Sequence, residues 1–342
     1  MKKVFNVCLL VVLLTVFFGA CTMQGSGGSS NTSNQPANVT GELKSGKGKK
    51  IGFSIAMLAG SPFWQIIADE LEKGFKKLEY DFVILDGQGD VAKQTSDVED
   101  LISQKVDIIL VNPYDSKAIV PVTLRAKDAG IPVMAVDIPV DDSGYSVATC
   151  ICDNHTIGYN LGWYAAGLFR TNNVKVIMIS GYPGGIDSYD RRFGFIEGFH
   201  NRQLEMFNRT GLEIVYHGWG DYAFDPANKT MEDAIVRTRG QFDILYAEND
   251  PMAIGGLRAM DDAGIKGKII IGVDGFREMY ELIKQGKTTA TGLNSPIELG
   301  AVTVDAVHKY LNGIEIPLWN FTTPDVVDAS NVDKYYNPNS PF

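Results

Sequence analysis

The stretches KIGFSIAMLAGSPFW (50–64), VDIILVNPYD (106–115) and IPVMAVD (131–137) decide the fold. In each, a short apolar run (IGFSIA, VDIILV, IPVMAV) ends in a small polar or aromatic cluster, and helix-length amphipathic segments separate the runs. That pattern describes the βα repeats of a parallel sheet. Ligands of such sheets bind beyond the carboxyl ends of the strands. SPFW (61–64), NPYD (112–115) and Asp137 fall at those ends, so the segment predicts a small-molecule pocket along with the sheet.

Outward from this segment, the pattern predicts strands near 51–56, 82–85, 107–111, 132–136 and 146–151, with helices near 62–78, 91–104, 117–129 and 153–170. A second series begins at VKVIMIS (174–180) and continues through EIVYHG (213–218), FDILYA (242–247), KIIIGV (268–273) and TATGL (289–293). Its helices fall near 188–203, 226–239, 250–263, 276–285 and 297–311. Two βα series of similar size predict an α/β protein of two doubly wound lobes, with the ligand cleft between them. A chain of 342 residues is long enough for two such domains.

The N-terminus reads MKK, then an apolar run from Val7 to Phe18 interrupted only by Cys8 and Thr15. This has the length of an export signal and is short for a membrane span. Phe18-Gly19-Ala20-Cys21 follows and resembles a bacterial lipoprotein box, with Phe18 in place of the usual Leu. Cys21 is the expected lipidation site, anchoring the protein to a bacterial membrane; ordinary cleavage leaving a free Cys21 is the alternative. Residues 22–48 are rich in Ser, Gly, Asn and Thr, too polar to bury a core, and are expected to form a tether.

Loss of residues 1–20 removes Lys2 and Lys3 and no acid, moving the net charge from −10 to −12. That balance opposes a nucleic-acid footprint, which needs a basic stripe. It suits a soluble, monomeric collector of neutral ligands. Cys150 and Cys152 are the cysteines of the remaining body, too few for a disulfide framework.

The same stretches carry a family resemblance. IGFSIAMLAGSPFW, LDGQGDVAKQTSDVEDLI (85–102), VDIILVNPYDS, AGIPVMAVD, CDNHTIG (152–158), DRRFGF (190–195), YAENDPMAIGGLRAM (246–260), IGVDG (271–275) and GLNSP (292–296) resemble the periplasmic sugar-binding proteins of ABC importers, of the ribose-binding type. The resemblance covers about residues 50–335. It implies the type I periplasmic binding protein fold, two Rossmann-like lobes joined by a three-stranded hinge. Crossings then fall near Cys152-Asp153, Asn294-Ser295 and Thr322-Pro324, giving an N-terminal lobe of 49–152 plus 295–322 and a C-terminal lobe of 153–294 plus 323–342. The implied function is capture of a monosaccharide or polyol and delivery to an ABC permease and its ATPase, without a cofactor. Sensing through a membrane chemoreceptor or sensor kinase is the alternative.

Ser61, Phe63 and Trp64 flank Pro62, a residue suited to a helix's first turn. Two adjacent aromatics on one helix do not both face the core squarely, so one is expected to face the cleft. An aromatic covering the C–H side of a sugar hides roughly 50 Å² of apolar surface, worth on the order of 1 kcal/mol. Two core aromatics are the bland alternative, and the resemblance favours stacking on the sugar.

Asn112, Asp137, Asn249 and Asp274 each lie at a predicted strand end before a helix, where N-capping is the ordinary role. Their chemistry also suits hydroxyl recognition, a hydrogen bond to a charged group being worth roughly 1.5–3 kcal/mol. The resemblance assigns them to the sugar. Arg191, in RRFGF, matches the family's R-x-x-G-F arginine, although Arg192 adjoins it and a solvated helix face suits either. Tyr222 or Phe224 is expected to supply the opposing aromatic wall. Cys152 and Asn294 line the cleft at the hinge by the same resemblance. The family commonly has an arginine after the strand-end aspartate, donating to the sugar ring oxygen; Ile138 stands there instead. That departure favours a polyol, a cyclitol or a less polar sugar, unless Arg191 or Asn294 supplies the donor.

Other classes lack their signatures. No G-x-G-x-x-G follows the first strand, and Gly144-Tyr145-Ser146-Val147-Ala148 fails the G-x-S-x-G elbow at its last position. His155, His200, His217 and His308 are scattered and suggest no acid/base pair. A zinc site of Cys150, Cys152 and His155 lacks a second cysteine pair, so no metal is expected. A repressor of similar fold needs a helix-turn-helix before Lys50, where an export signal and tether stand instead.

Overall fold

The computed structural model describes residues 43–59, 62–340 and 342. The first βα series runs β1 (Lys50–Ile55), α1 (Pro62–Lys77), β2 (Asp81–Asp86), α2 (Val91–Ser103), β3 (Ile108–Asn112), α3 (Val120–Asp128), β4 (Val133–Val136) and β5 (Ala148–Ile151). The second runs α4 (Asn154–Gly167), β6 (Val174–Ser180), α5 (Ile186–Phe207), β7 (Leu212–Trp219), α6 (Phe224–Thr238), β8 (Ile244–Ala247), α7 (Asp250–Asp262), β9 (Ile269–Asp274), α8 (Arg277–Lys284) and β10 (Ala290–Leu293). α9 (Pro296–Leu311), β11 (Trp319–Phe321), β12 (Val326–Asp328) and α10 (Val332–Tyr335) complete the chain.

Two six-stranded sheets result, ordered β11-β5-β4-β3-β1-β2 and β12-β10-β9-β8-β6-β7. The first is parallel throughout. The second is parallel except where β12 pairs antiparallel with β10. The apolar runs are nearly continuous because both faces of each sheet are covered. In β3, Ile108 and Leu110 enter one core while Ile109 and Val111 enter another, and β4 divides Met134 and Val136 from Val133 and Ala135 in the same way. In β6, Val176 and Met178 part from Ile177 and Ile179.

The chain passes between sheets after β5, after β10 and between β11 and β12. Helix α9 returns to pack on α1, contributing Leu299, Ala306 and Val307 to the core of the first sheet. The periodicity missed β11, β12 and α10. Strands of three residues such as WNF carry no measurable period, and β11 forms because Trp319–Phe321 finds the free edge of β5.

Helices α4 and α5 meet backbone to backbone. A Cβ on Gly158 would lie 2.3 Å from the Arg191 carbonyl oxygen, and one on Gly162 2.0 Å from that of Phe195. Reciprocally, Gly194 and Gly198 would meet the His155 and Tyr159 oxygens at 2.3 and 2.0 Å. Glycine four apart on both helices is what permits this approach. It seats the turn that carries Arg191.

Candidate functional site

The strand-end reading locates the polar groups well. Asn112 and Asp274 are the last residues of β3 and β9, and Asp137 and Asn294 directly follow β4 and β10. Asp137 and Asp274 both hold a positive φ, 67° and 119°, which side-chain-bearing residues seldom adopt. The Asp137 turn is held by its amide donating to the Cys150 carbonyl at 2.8 Å, and the Asp274 carbonyl accepts from the Asn294 amide at 3.2 Å. Strain of this kind concentrates at functional sites.

On the first sheet, Trp64 Nε1 donates to Asp137 Oδ2 at 2.8 Å. Phe63 and Trp64 are both half-buried against the core, so neither is wholly surrendered to it. Phe63 meets Phe342 edge-on at 5.5 Å, and Phe342 in turn meets Phe276 of the second lobe at 5.3 Å. Ile138 is half-buried beside Asp137. Ser61 and Cys21 lie outside the described residues.

On the second sheet, Arg191 is buried and directed inward: Nε donates to Asn154 Oδ1 at 2.8 Å, Nη1 to the Glu248 carbonyl at 2.6 Å, and Nη1 stands 3.3 Å from Asp274 Oδ1. Its neighbour Arg192 turns instead to Ser180 Oγ at 3.2 Å and lies over the Trp219 ring. Asn294 Nδ2 donates to Asp274 Oδ1 at 3.1 Å. Tyr222 donates its hydroxyl to Asp187 Oδ2 and packs edge-on to Tyr182 at 5.2 Å. Phe224 and Tyr222 both pack against the lobe core, Phe224 lying beneath Arg258 and Tyr222 reaching Asp187 with its hydroxyl.

Two of the expected residues are braces. Asn112 is buried, its Oδ1 accepting from the Ala56 amide at 3.3 Å and its Nδ2 donating to the Val136 carbonyl at 3.1 Å, so it ties the ends of β1, β3 and β4. Asn249 caps α7 by accepting from the Met252 amide at 2.9 Å, and its Nδ2 fixes the Tyr222 carbonyl at 3.0 Å. Cys152 is buried in the second lobe's core beside the crossing, its thiol 4.0 Å from the Leu293 carbonyl; burial pushes it up to about 12. Cys150 instead contacts Met134 at 3.8 Å, while His155 stands 3.2 Å from Glu197. Among the described residues no group of three or more His, Cys, Asp or Glu is placed to hold a metal.

The charges of the two lobes act on one another. Burial pushes the Asp137 carboxyl up to about 7 against the pull of the Trp64 hydrogen bond; Asp187 and Asp274 add to the rise and Arg191 opposes it. Burial likewise lifts Asp274 to about 6, resisted by Arg191 and the Asn294 hydrogen bond. For Arg191, burial works against the charge, and Asp274, Tyr222 and Asp187 more than restore it. Desolvation makes the ionised carboxylates costly in the absence of donors.

Asp187 and Glu248 escaped the sequence analysis. Asp187 lies four residues before Arg191, hence on the same face of α5, and that spacing was the available signal. Glu248 is fully buried, accepting from Ser180, Ser188 and the Gly181 amide, and it holds the loop before α5 in place. Its partners are distant in sequence, so no local pattern announces it.

The chain matches the family described as periplasmic binding protein domain over residues 51–315. It is 31% identical over 321 residues to the ribose import binding protein of Bacillus subtilis, covering 92% of this chain and 95% of that protein. Among solved structures, it is similar to an ABC transporter solute-binding protein of Mycobacterium smegmatis with bound glycerol, at 29% identity and a TM-score of 0.75, covering 88% of this chain and 99% of that one. It is also similar to a solute-binding protein of Bacillus halodurans with bound myo-inositol, at 25% identity and a TM-score of 0.74, covering 85% and 98%. Sequence motifs, paired sheets and these matches agree: the chain belongs to the periplasmic binding protein family, a family of transporter substrate-binding proteins rather than enzymes.

Proposed function

We propose that this protein is an exported, lipid-anchored solute-binding protein that takes a small neutral sugar or polyol between its lobes and delivers it to an ABC permease and its ATPase. The observation that carries the reading is that Trp64 and Asp137 from one sheet lie within electrostatic reach of Asp187, Arg191 and Asp274 from the other. Polar groups of this kind, beside half-buried aromatics at the carboxyl ends of two parallel sheets, suit a polyhydroxylated ligand. Relatives named for ribose import and neighbours holding glycerol or myo-inositol support the same class.

Binding would draw the lobes together about the crossings near 152–153, 294–295 and 322–324, and the closed form is what the permease reads. The anchor rests on Cys21 and the tether on residues 22–48. The protein is proposed to act as a monomer. A thermal-shift screen over sugars, polyols and cyclitols tests the reading, because a ligand that binds only the folded state raises its melting temperature. A well-folded protein that responds to none of them overturns it.

A further inference from the structure

Donors and acceptors are unequally available in the cleft. Trp64 Nε1 is engaged by Asp137, the Tyr222 hydroxyl by Asp187, Asn294 Nδ2 by Asp274, and Arg191 Nε and Nη1 by Asn154, Glu248 and Asp274. Arg191 Nη2 is the guanidinium nitrogen that these bonds leave over. On the acceptor side, Oδ1 of Asp137, Oδ1 of Asp187 and Oδ2 of Asp274 receive no hydrogen bond from the described residues.

Asn294 adds an independent sign. The residue is 3% exposed, and its Oδ1 is buried without a partner. The orientation of that amide is set by chemistry: an ionised Asp274 only accepts, so Nδ2 must face it and the oxygen must turn the other way. A buried carbonyl oxygen in that position calls for a donor. Apart from Arg191 Nη2, the groups left over are therefore oxygens, while the side chain of Ile138, beside Asp137, offers no donor.

We infer that the cleft selects its ligand through hydroxyl donors, preferring an acyclic polyol or a cyclitol to the ring-closed aldose of matched skeleton, and that Asp187 is a specificity-determining residue. The inference rests on the proposed sugar or polyol site. A hydroxyl donates and accepts, so it can serve any of these oxygens. A ring oxygen only accepts. Set against a carboxylate or Ile138 in a dry cleft, it loses its hydrogen bond to water and gains none. Replacing it by CHOH, as in myo-inositol, or opening the ring by reduction, as in xylitol or glucitol, turns that position into a donor.

Calorimetric titration of matched pairs at pH 8 tests this: xylitol against xylose, glucitol against glucose, and myo-inositol against glucose. At least one polyol or cyclitol should bind ten-fold or more tightly than its ring-closed partner. Asp187→Asn retains an oxygen for the Tyr222 hydroxyl and turns the free oxygen into an N–H donor. It should weaken the polyol by ten-fold or more, weaken the aldose less, and so collapse the ratio, with the melting temperature of the unliganded protein confirming the fold. An aldose that binds more tightly than its matched polyol overturns the inference and leaves the proposed function standing. An unchanged ratio in a folded Asp187→Asn overturns the role of Asp187. Binding to no member of the series overturns both readings, and the wild-type comparison needs no variant to fold.

Discussion

Trp64 Nε1 donates to Asp137 Oδ2 at 2.8 Å, so the first turn of α1 is tied to the end of β4. The indole keeps one carboxylate oxygen engaged, and the other accepts no hydrogen bond from the described residues. It also draws the Asp137 carboxyl below where burial alone would put it.

Asp137→Ala should cost roughly 1.5–3 kcal/mol of ligand binding for each hydrogen bond to the charged oxygen that is lost. Trp64→Phe keeps most of the ring and deletes the N–H, so a smaller loss is expected. Calorimetry on both variants with the same ligand checks the order.

Binding should also depend on pH, with a definite sign. Asp137 sits at about 7 and Asp274 at about 6 in the fold, both raised from 3.8. A raised carboxylate contributes stability that is fully present below about pH 4 and is lost as pH climbs through 6 to 7, since the folded form then holds protons that the unfolded chain has released. These two groups should therefore lower the melting temperature of the unliganded protein between pH 5 and 8. Hydroxyl donors favour the ionised form, so ligand affinity should rise over the same window, with protons released on binding. Titration in buffers of different ionisation enthalpy reads that release, and proton uptake would contradict it. In Trp64→Phe the affinity midpoint should move to higher pH.

Gly162→Ala should destabilise the second lobe, because its Cβ would fall 2.0 Å from the Phe195 carbonyl oxygen in the α4–α5 contact. Backbone does not yield as a flexible side chain does, and overpacking costs about 1–3 kcal/mol. A chemical denaturation midpoint measures the loss. Unchanged stability would mean that the helices separate without penalty.

Phe342 packs edge-on against Phe63 of one lobe and Phe276 of the other, at 5.5 and 5.3 Å. An aromatic pair of this kind contributes about 0.5–1.5 kcal/mol beyond area burial. Phe342→Ala should loosen this link between the two lobes and weaken ligand binding several-fold, chiefly through faster release. Stopped-flow fluorescence of the tryptophans reads the dissociation rate.

Cys21→Ser should move the protein from the membrane to the soluble fraction, since the proposed anchor rests on one cysteine and residues 22–48 carry few large apolar side chains. Fractionation of expressing cells checks it, and a wild-type protein already soluble with an unmodified Cys21 refutes the anchor.

The sequence by itself determined the two parallel sheets and the level of the chain at which the site lies. Apolar runs buried on both faces are local features, and the residue after such a run must emerge at the sheet's carboxyl edge, as Asp137 and Asp274 do. Which of those residues keep polar atoms free of protein partners was decided only by the tertiary structure. Asn112 and Asn249 have the same local setting as Asp137, yet backbone from neighbouring strands and loops takes both ends of their amides. Asp187 looks like an ordinary first-turn acid until α5 is pressed onto α4 and its carboxylate is brought into the field of Asp137 and Asp274. Phe342 gains a role only from two aromatics far from it in sequence. Strand ends are set by the period of the chain itself, whereas hydrogen-bond partners and cross-lobe charges depend on contacts that no local window contains.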